Sequence, residues 1–170
     1  MAEAVRSKAR KAGVLIRLFA AGYDLLILFS VCMVAVGIPI TISAELFAAH
    51  PPQWLQYALF MAVSYAYLVG FWFKAGATTG MRPWKLRLAM TGSGDPISLM
   101  AATIRFFGLM ITWLAMGTTL LNPFGHHTGD PELIVAAALP ALSLLCMILT
   151  PNRQALHDLI SGTGVYRIEA

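Results

Sequence analysis

Between residues 25 and 42 the chain reads LLILFSVCMVAVGIPITI, 18 residues without a charge. With its flanks, that run covers the ~20 apolar residues that a bilayer's hydrocarbon core requires of a crossing helix. Its inner flank carries charge. Asp24 abuts the run, and Arg17 lies seven residues earlier, two helical turns back and on nearly the same face. At a rise of ~1.5 Å per residue, Asp24 sits roughly 10 Å deeper than Arg17. A carboxylate at that depth is costly unless paired, hydrated or neutralised, which makes Asp24 a candidate functional residue. The competing reading is an ion pair that only locks helices together.

The rest of the composition agrees with a membrane protein. Apolar residues make up 58% of the 170 and charged residues 12%, against a soluble norm of ~45–50% and ~25%. Mean hydropathy is +0.71, and the length fits a single domain over residues 1–170. A net charge of +4 could suggest nucleic acid as a partner. The charges, however, gather at the ends of apolar spans and not on a polar domain with interleaved aromatics, so that class is set aside. Cys32 and Cys146 both lie within apolar runs and read as small packing residues. The N-terminus starts basic, but its apolar run exceeds the ~7–15 residues of a secretory signal core. Thr41-Ile42-Ser43-Ala44-Glu45 is also a poor cleavage site, so the first span is read as retained.

Hydropathy places four spans, at about residues 14–42, 54–73, 99–121 and 133–150, followed by a tail over 151–170. Pro39 is expected to bend the first span near Gly37-Ile38-Pro39. Trp54 and Tyr57 at one end of the second span, with Phe71, Trp72 and Phe73 at the other, suit the two membrane interfaces. Gln56, Ser64, Tyr65 and Tyr67 give that span a polar stripe, read first as interhelical hydrogen bonding. The long connector over 74–96 opens with the turn Gly76-Ala77-Thr78-Thr79-Gly80-Met81, which lacks the Lys-Ser/Thr ending of a phosphate-binding loop. Leu86-Arg87-Leu88 alternates as a short strand or surface segment would, and Ser98 is placed to cap the third helix. Arg105 either snorkels to the headgroups or turns inward to an acid. His126 and His127, near Asp130 and Glu132, are adjacent on a loop and make a poor coordination sphere, so no metal is expected. In the tail, Leu156, Leu159 and Ile160 form the apolar face of a short helix, with His157 and Asp158 to its other sides.

Orientation follows from charge. Placing the leader, the long connector and the tail on one side gives that side all 12 Lys and Arg, with Arg17 and Arg105 counted at their nearest span ends, while Glu45, Asp130 and Glu132 fall on the other. By the positive-inside rule both termini are cytoplasmic. The expected fold is an all-α, four-helix membrane bundle in the inner membrane with a short cytoplasmic C-terminal helix.

Three blocks of the sequence resemble the RDD family, small membrane proteins named for one arginine and two aspartates. They are Ile16-Arg17-Leu18 running to Gly22-Tyr23-Asp24, the connector Gly76-Ala77-Thr78-Thr79-Gly80-Met81 followed by Leu86-Arg87-Leu88, Ser98 and Arg105, and Arg153-Gln154-Ala155-Leu156-His157-Asp158-Leu159-Ile160-Ser161-Gly162-Thr163. The name-giving residues carry over as Arg17, Asp24 and Asp158, and Met81-Arg82-Pro83-Trp84 departs from the Lys-rich run more usual in relatives. The resemblance implies fold and membrane more firmly than activity. Some members are implicated in exchange of sodium or another monovalent cation for protons.

On the transport reading, Asp24 alternates between a proton and a cation, with Arg17 or Arg105 as its basic neighbour. His157, whose ordinary pKa is near ~6.5, exchanges protons at the cytoplasmic mouth. Four spans leave little room for a water-lined path, so transport calls for a homo-oligomer. The alternative is a non-catalytic scaffold, regulator or assembly partner in which Arg17, Asp24, Arg105 and Asp158 tie the tail beneath the bundle. An enzyme is not expected, because His157-Asp158 has no evident nucleophile beside it. No cofactor is implied. The expected site is thus Arg17, Asp24, Arg105, His157 and Asp158, with Gly76, Thr78 and Gly80 as the motif loop.

Overall fold

The computed structural model describes residues 9–47, 51–121 and 131–168. Arg6, Lys8, His50, His126, His127, Asp130 and the side chain of Glu132 lie outside what is described.

Helix α1 (Val14–Cys32) runs through one π-helical turn (Met33–Gly37) into α2 (Ile38–Phe47), giving a continuous apolar stretch over Val14–Leu46. A π-helical turn stands where the bend is expected, just before Pro39: proline offers no N–H to the carbonyl four residues back, and a widened turn absorbs the missing bond. The helix continues past its expected end at residue 42. Nothing in Ser43-Ala44-Glu45 stops it, and the breakers are Pro51 and Pro52 further on. Helix α3 (Gln53–Ala75) ends on Gly76, whose φ of +64° suits a residue without a Cβ and lets its N–H reach the Trp72 carbonyl at 3.0 Å. Helix α4 (Leu99–Leu121) starts with the Ser98 hydroxyl accepting the Ala101 N–H at 3.1 Å. Helix α5 (Pro131–Leu149) contains Pro140.

Among the described residues three helices, Val14–Leu46, Gln53–Ala75 and Leu99–Leu120, are long and apolar enough to cross a membrane, and α5 carries a shorter apolar stretch, Leu133–Leu149. Leu26, Phe29, Val34, Ile111, Leu114 and Ile148 stand exposed along these helices, the surface of an element solvated by acyl chains and not by water. The chain is a mostly helical, multi-pass membrane protein.

The all-α expectation needs correction. A three-stranded antiparallel sheet in the order β1-β3-β2 is built from β1 (Ala9–Lys11), β2 (Leu86–Met90) and β3 (Thr163–Ile168). The central strand comes last in sequence, and pairs Arg10 with Arg167 on one side and Leu88 with Val165 on the other. Strands this short carry little periodic signal of their own, and each is completed only by partners distant in sequence. The outer edge of β2 is closed locally: the N–H groups of Leu86, Leu88 and Met90 donate to the carbonyls of Met81, Gly76 and Asp95 at 3.1, 2.7 and 2.9 Å. Ala12, Leu86, Leu88 and Val165 of the sheet region share one core with Leu68, Trp72, Ala102 and Phe106 of α3 and α4. The sheet is therefore packed onto the bundle and does not hang from it.

Helix α6 (Leu156–Ser161) has its expected apolar face turned outward. Its buried residues are His157, Asp158 and Ser161, whereas Leu159 and Ile160 are 40% and 62% exposed. It lies against α4 beside Gly108, where an added Cβ would meet the His157 Cβ at 3.0 Å, and the Leu156 N–H donates to Ser143 Oγ of α5 at 3.3 Å. An element whose polar side meets buried arginines and whose apolar side faces outward is arranged for lipid.

Candidate functional site

Asp158 is fully buried at the start of α6. One carboxylate oxygen, Oδ2, accepts from the Arg17 guanidinium of α1 and from the Ala155 N–H at 3.0 Å, which caps the helix. The other, Oδ1, faces the Arg105 guanidinium of α4 as an ion pair. Arg17 also donates to the carbonyl of Arg153, a residue held at a φ of +52°, and Arg105 donates to Thr163 Oγ1 at 3.0 Å. The Arg105 guanidinium lies 4.9 Å above the Trp72 ring, so its delocalised charge has an aromatic face as well as a carboxylate. Around this centre Gln154 donates to the Thr163 carbonyl at 2.7 Å and to Thr91 at 2.9 Å, and Ser161 Oγ sits 2.9 Å from Thr163 Oγ1. Two cations on two long helices thus share one anion on the tail, with Arg105 Nε and Asp158 Oδ1 left without a hydrogen bond among the described residues. A buried charge is tolerated only when paired and hydrogen-bonded in this way.

Asp24 is elsewhere. The expectation that Arg17 or Arg105 stands beside it is incorrect. Its Oδ1 accepts from the Tyr67 hydroxyl at 3.0 Å and from the Gly80 N–H at 2.9 Å, and its Oδ2 accepts from the Thr78 hydroxyl. Arg17 shares its helical face, but the Arg17 side chain is drawn to the tail, where Asp158 and the Arg153 carbonyl take both ends of its guanidinium. The motif loop supplies what Asp24 lacks. Gly76 ends α3, Thr78 is wholly buried with its hydroxyl on the carboxylate, and Gly80 brings a backbone N–H so close that a Cβ there would lie 2.6 Å from the Ala20 carbonyl oxygen. The structure thus divides the sequence-read residues into two sites: Arg17, Arg105, Asp158 and His157 form one, and Asp24 with Thr78 and Gly80 the other.

His157 does not have the setting of a proton exchanger. It is buried, its Nε2 stands 3.5 Å from Asp158 Oδ1, and its Nδ1 has no partner among the described residues. Burial first, then the charges of Arg105 and Arg17, push its pKa well below the ordinary histidine value. The unfolded chain takes up this proton near pH ~6.5 and the folded chain refuses it, so the contribution is complete above that pH and is lost as pH falls towards the folded-state pKa. Lowering the pH from 7.5 to 5.5 is therefore expected to weaken the wild type with a slope of up to ~1.4 kcal/mol per pH unit from this group. His157→Gln flattens that part of the profile. Parallel unfolding profiles for the two proteins would show that His157 is not held neutral.

Sequence reasoning did not find Trp72 as the platform for Arg105, nor the carbonyl of Arg153 as a ligand of Arg17. Backbone acceptors leave no trace in residue identity. Tyr67 was visible only as part of a polar stripe. In the same stripe Tyr65 reaches Thr103 at 2.8 Å and Ser64 lies 3.9 Å from Cys32 Sγ, so it also links α3 to α4 and α1.

Apolar spans, an Arg–Asp–Arg cluster buried at their ends and a lone carboxylate deeper in the first span define a class, the multi-pass membrane protein with intramembrane charge. The sequence model of the RDD family matches residues 11–162, and the chain belongs to that family. Neither a curated protein nor a solved structure matches it.

Proposed function

We propose that the chain is a non-catalytic module of the inner membrane, with four spans and both termini cytoplasmic, whose Arg17–Asp158–Arg105 cluster locks the sheet and tail helix onto the bundle. One observation supports this above the others: both oxygens of Asp158 are committed to fixed partners on three separate parts of the chain, leaving nothing to exchange with a passing ion. The one-sided distribution of all 12 Lys and Arg supports the orientation. No cofactor enters this reading, and its partners are the bilayer and further protein.

A second reading, exchange of a monovalent cation for protons by a homo-oligomer, is favoured by Asp24 alone. That carboxylate is buried in a membrane span, and its described partners are all neutral. The two readings part in one assay. In vesicles carrying a proton gradient, the structural reading expects no sodium, potassium or lithium flux above that of empty vesicles. Flux that Asp24→Asn abolishes, with insertion and protein level unchanged, would replace it with the transport reading.

A further inference from the structure

A groove of about 1260 Å³ opens between the end of α3, the turn after it and the outer face of the sheet. Its lining contains Lys74, Arg82, Lys85 and Arg87 against a single acid, Asp95, among the described residues. The placement of these charges follows from the fold. Alternation along β2 buries Leu86 and Leu88 and turns Arg87 outward, in register with Tyr166 of β3, which also lines the groove. Lys85, at a φ of +55°, closes the short 3-10 turn over Arg82–Trp84, and Lys74 sits in the last turn of α3. Phe73, also in the wall, is half exposed in that same last turn, so the cationic groove opens where a membrane-crossing helix ends in aromatic residues. Basic lining, an aromatic rim and a position at the end of a span together match one ligand chemistry: a phosphate diester attached to acyl chains. A soluble anion would have no use for the rim.

We infer that this groove binds the headgroup of an anionic phospholipid, with the phosphate among Lys74, Lys85 and Arg87 and the glycerol backbone towards Phe73. Trp72 and Gly76 also line the groove, but the phosphate ligands are none of the groups that hold Asp158 or Asp24, so the site rests on the chain spanning a membrane and on neither reading of its function. The bound lipid fills the open side of the sheet and ties β2 to the end of α3. Because the attraction is ionic, it weakens with salt.

The test is thermal unfolding of the full chain in neutral detergent, titrated with phosphatidylglycerol, phosphatidylcholine, glycerophosphate or polyglutamate. Phosphatidylglycerol is expected to raise the unfolding midpoint at low salt, less so at 0.5 M salt, and phosphatidylcholine and glycerophosphate to leave it unchanged. Lys85→Asn with Arg87→Gln removes two charges of ~1 kcal/mol each, so the apparent affinity falls about 30-fold. Asn tolerates the positive φ at position 85. Arg167→Gln removes an exposed charge outside the groove and leaves the affinity unchanged. Equal shifts with phosphatidylcholine, a response to polyglutamate in place of lipid, or an undiminished response in the double variant would each overturn the proposal. If the double variant is unstable, its unliganded midpoint will show this, and Lys74→Gln, at an exposed helix end, then carries the affinity comparison.

Discussion

Asp158→Asn is expected to destabilise the protein by about 3–5 kcal/mol, the usual cost of removing one partner from a buried ion cluster. The substitution keeps the shape of the side chain but leaves Arg17 and Arg105 facing each other without a counter-charge, in a place with almost no access to water. An amide nitrogen turned towards either guanidinium adds a further repulsive contact. The consequences should spread along the chain, since Asp158 also caps α6 and Arg17 also holds the Arg153 carbonyl. Cleavage after Arg153 by trypsin is therefore expected to accelerate well before the helices unfold. A second protein separates charge balance from packing. Replacing all three residues together, Arg17→Met, Arg105→Met and Asp158→Leu, removes the unpaired charge and should recover most of the lost stability. If Asp158→Asn unfolds at the wild-type midpoint, the cluster bears no such load.

Gly80→Ala should be nearly as damaging, although it adds only a methyl group. The new Cβ would lie 2.6 Å from the Ala20 carbonyl oxygen and 2.8 Å from both the Asp24 amide nitrogen and its carboxylate carbon. Two of these atoms are α1 backbone, so no side-chain rotation relieves the clash, and the loop must withdraw. Withdrawal breaks the hydrogen bond from Gly80 to Asp24, leaving the buried carboxylate with two hydroxyl donors. Overpacking at ~1–3 kcal/mol and a lost charged hydrogen bond at ~1.5–3 kcal/mol act in the same direction. Gly22→Ala is the control: the same substitution on the helix that Gly80 abuts, with nothing within 4 Å of the new Cβ. It should be neutral or slightly stabilising, because alanine is the better helix former by ~1 kcal/mol. A Gly80→Ala protein that unfolds with the Gly22→Ala control would mean that loop and helix are not in contact.

Much of this architecture can be read from the sequence, and the exceptions have physical causes. Long uncharged runs announce crossing helices because lipid offers the backbone no other partner, and the Gly76-Ala77-Thr78-Thr79-Gly80 turn reads as a loop from its residues alone. The presence of buried charge was visible too, since Arg17, Asp24 and Arg105 interrupt apolar sequence. The scaffold reading also grouped both arginines with Asp158, but which of the two acids they take was not visible. Arg17 is close to Asp24 in sequence and on the same helical face, yet it binds Asp158, which arrives from the far end of the chain. Helical spacing tells which residues could meet, but not the direction of a long, flexible arginine. Which face of α6 is buried was not legible for a related reason: an apolar face turns inward in water but outward in lipid, and here Leu159 and Ile160 are the exposed residues. The sheet was missed as a unit because β1, β2 and β3 hold three, five and six residues and gain their register only from one another.

A double-mutant cycle on unfolding free energy in mixed micelles tests the division into two sites most directly. Arg17→Met is combined once with Asp158→Asn and once with Asp24→Asn. The first pair should show a coupling of at least ~2 kcal/mol, and the second should be additive within ~0.5 kcal/mol. Coupling of Arg17 to Asp24 as large as its coupling to Asp158 would contradict the separation of the charge lock from the lone carboxylate.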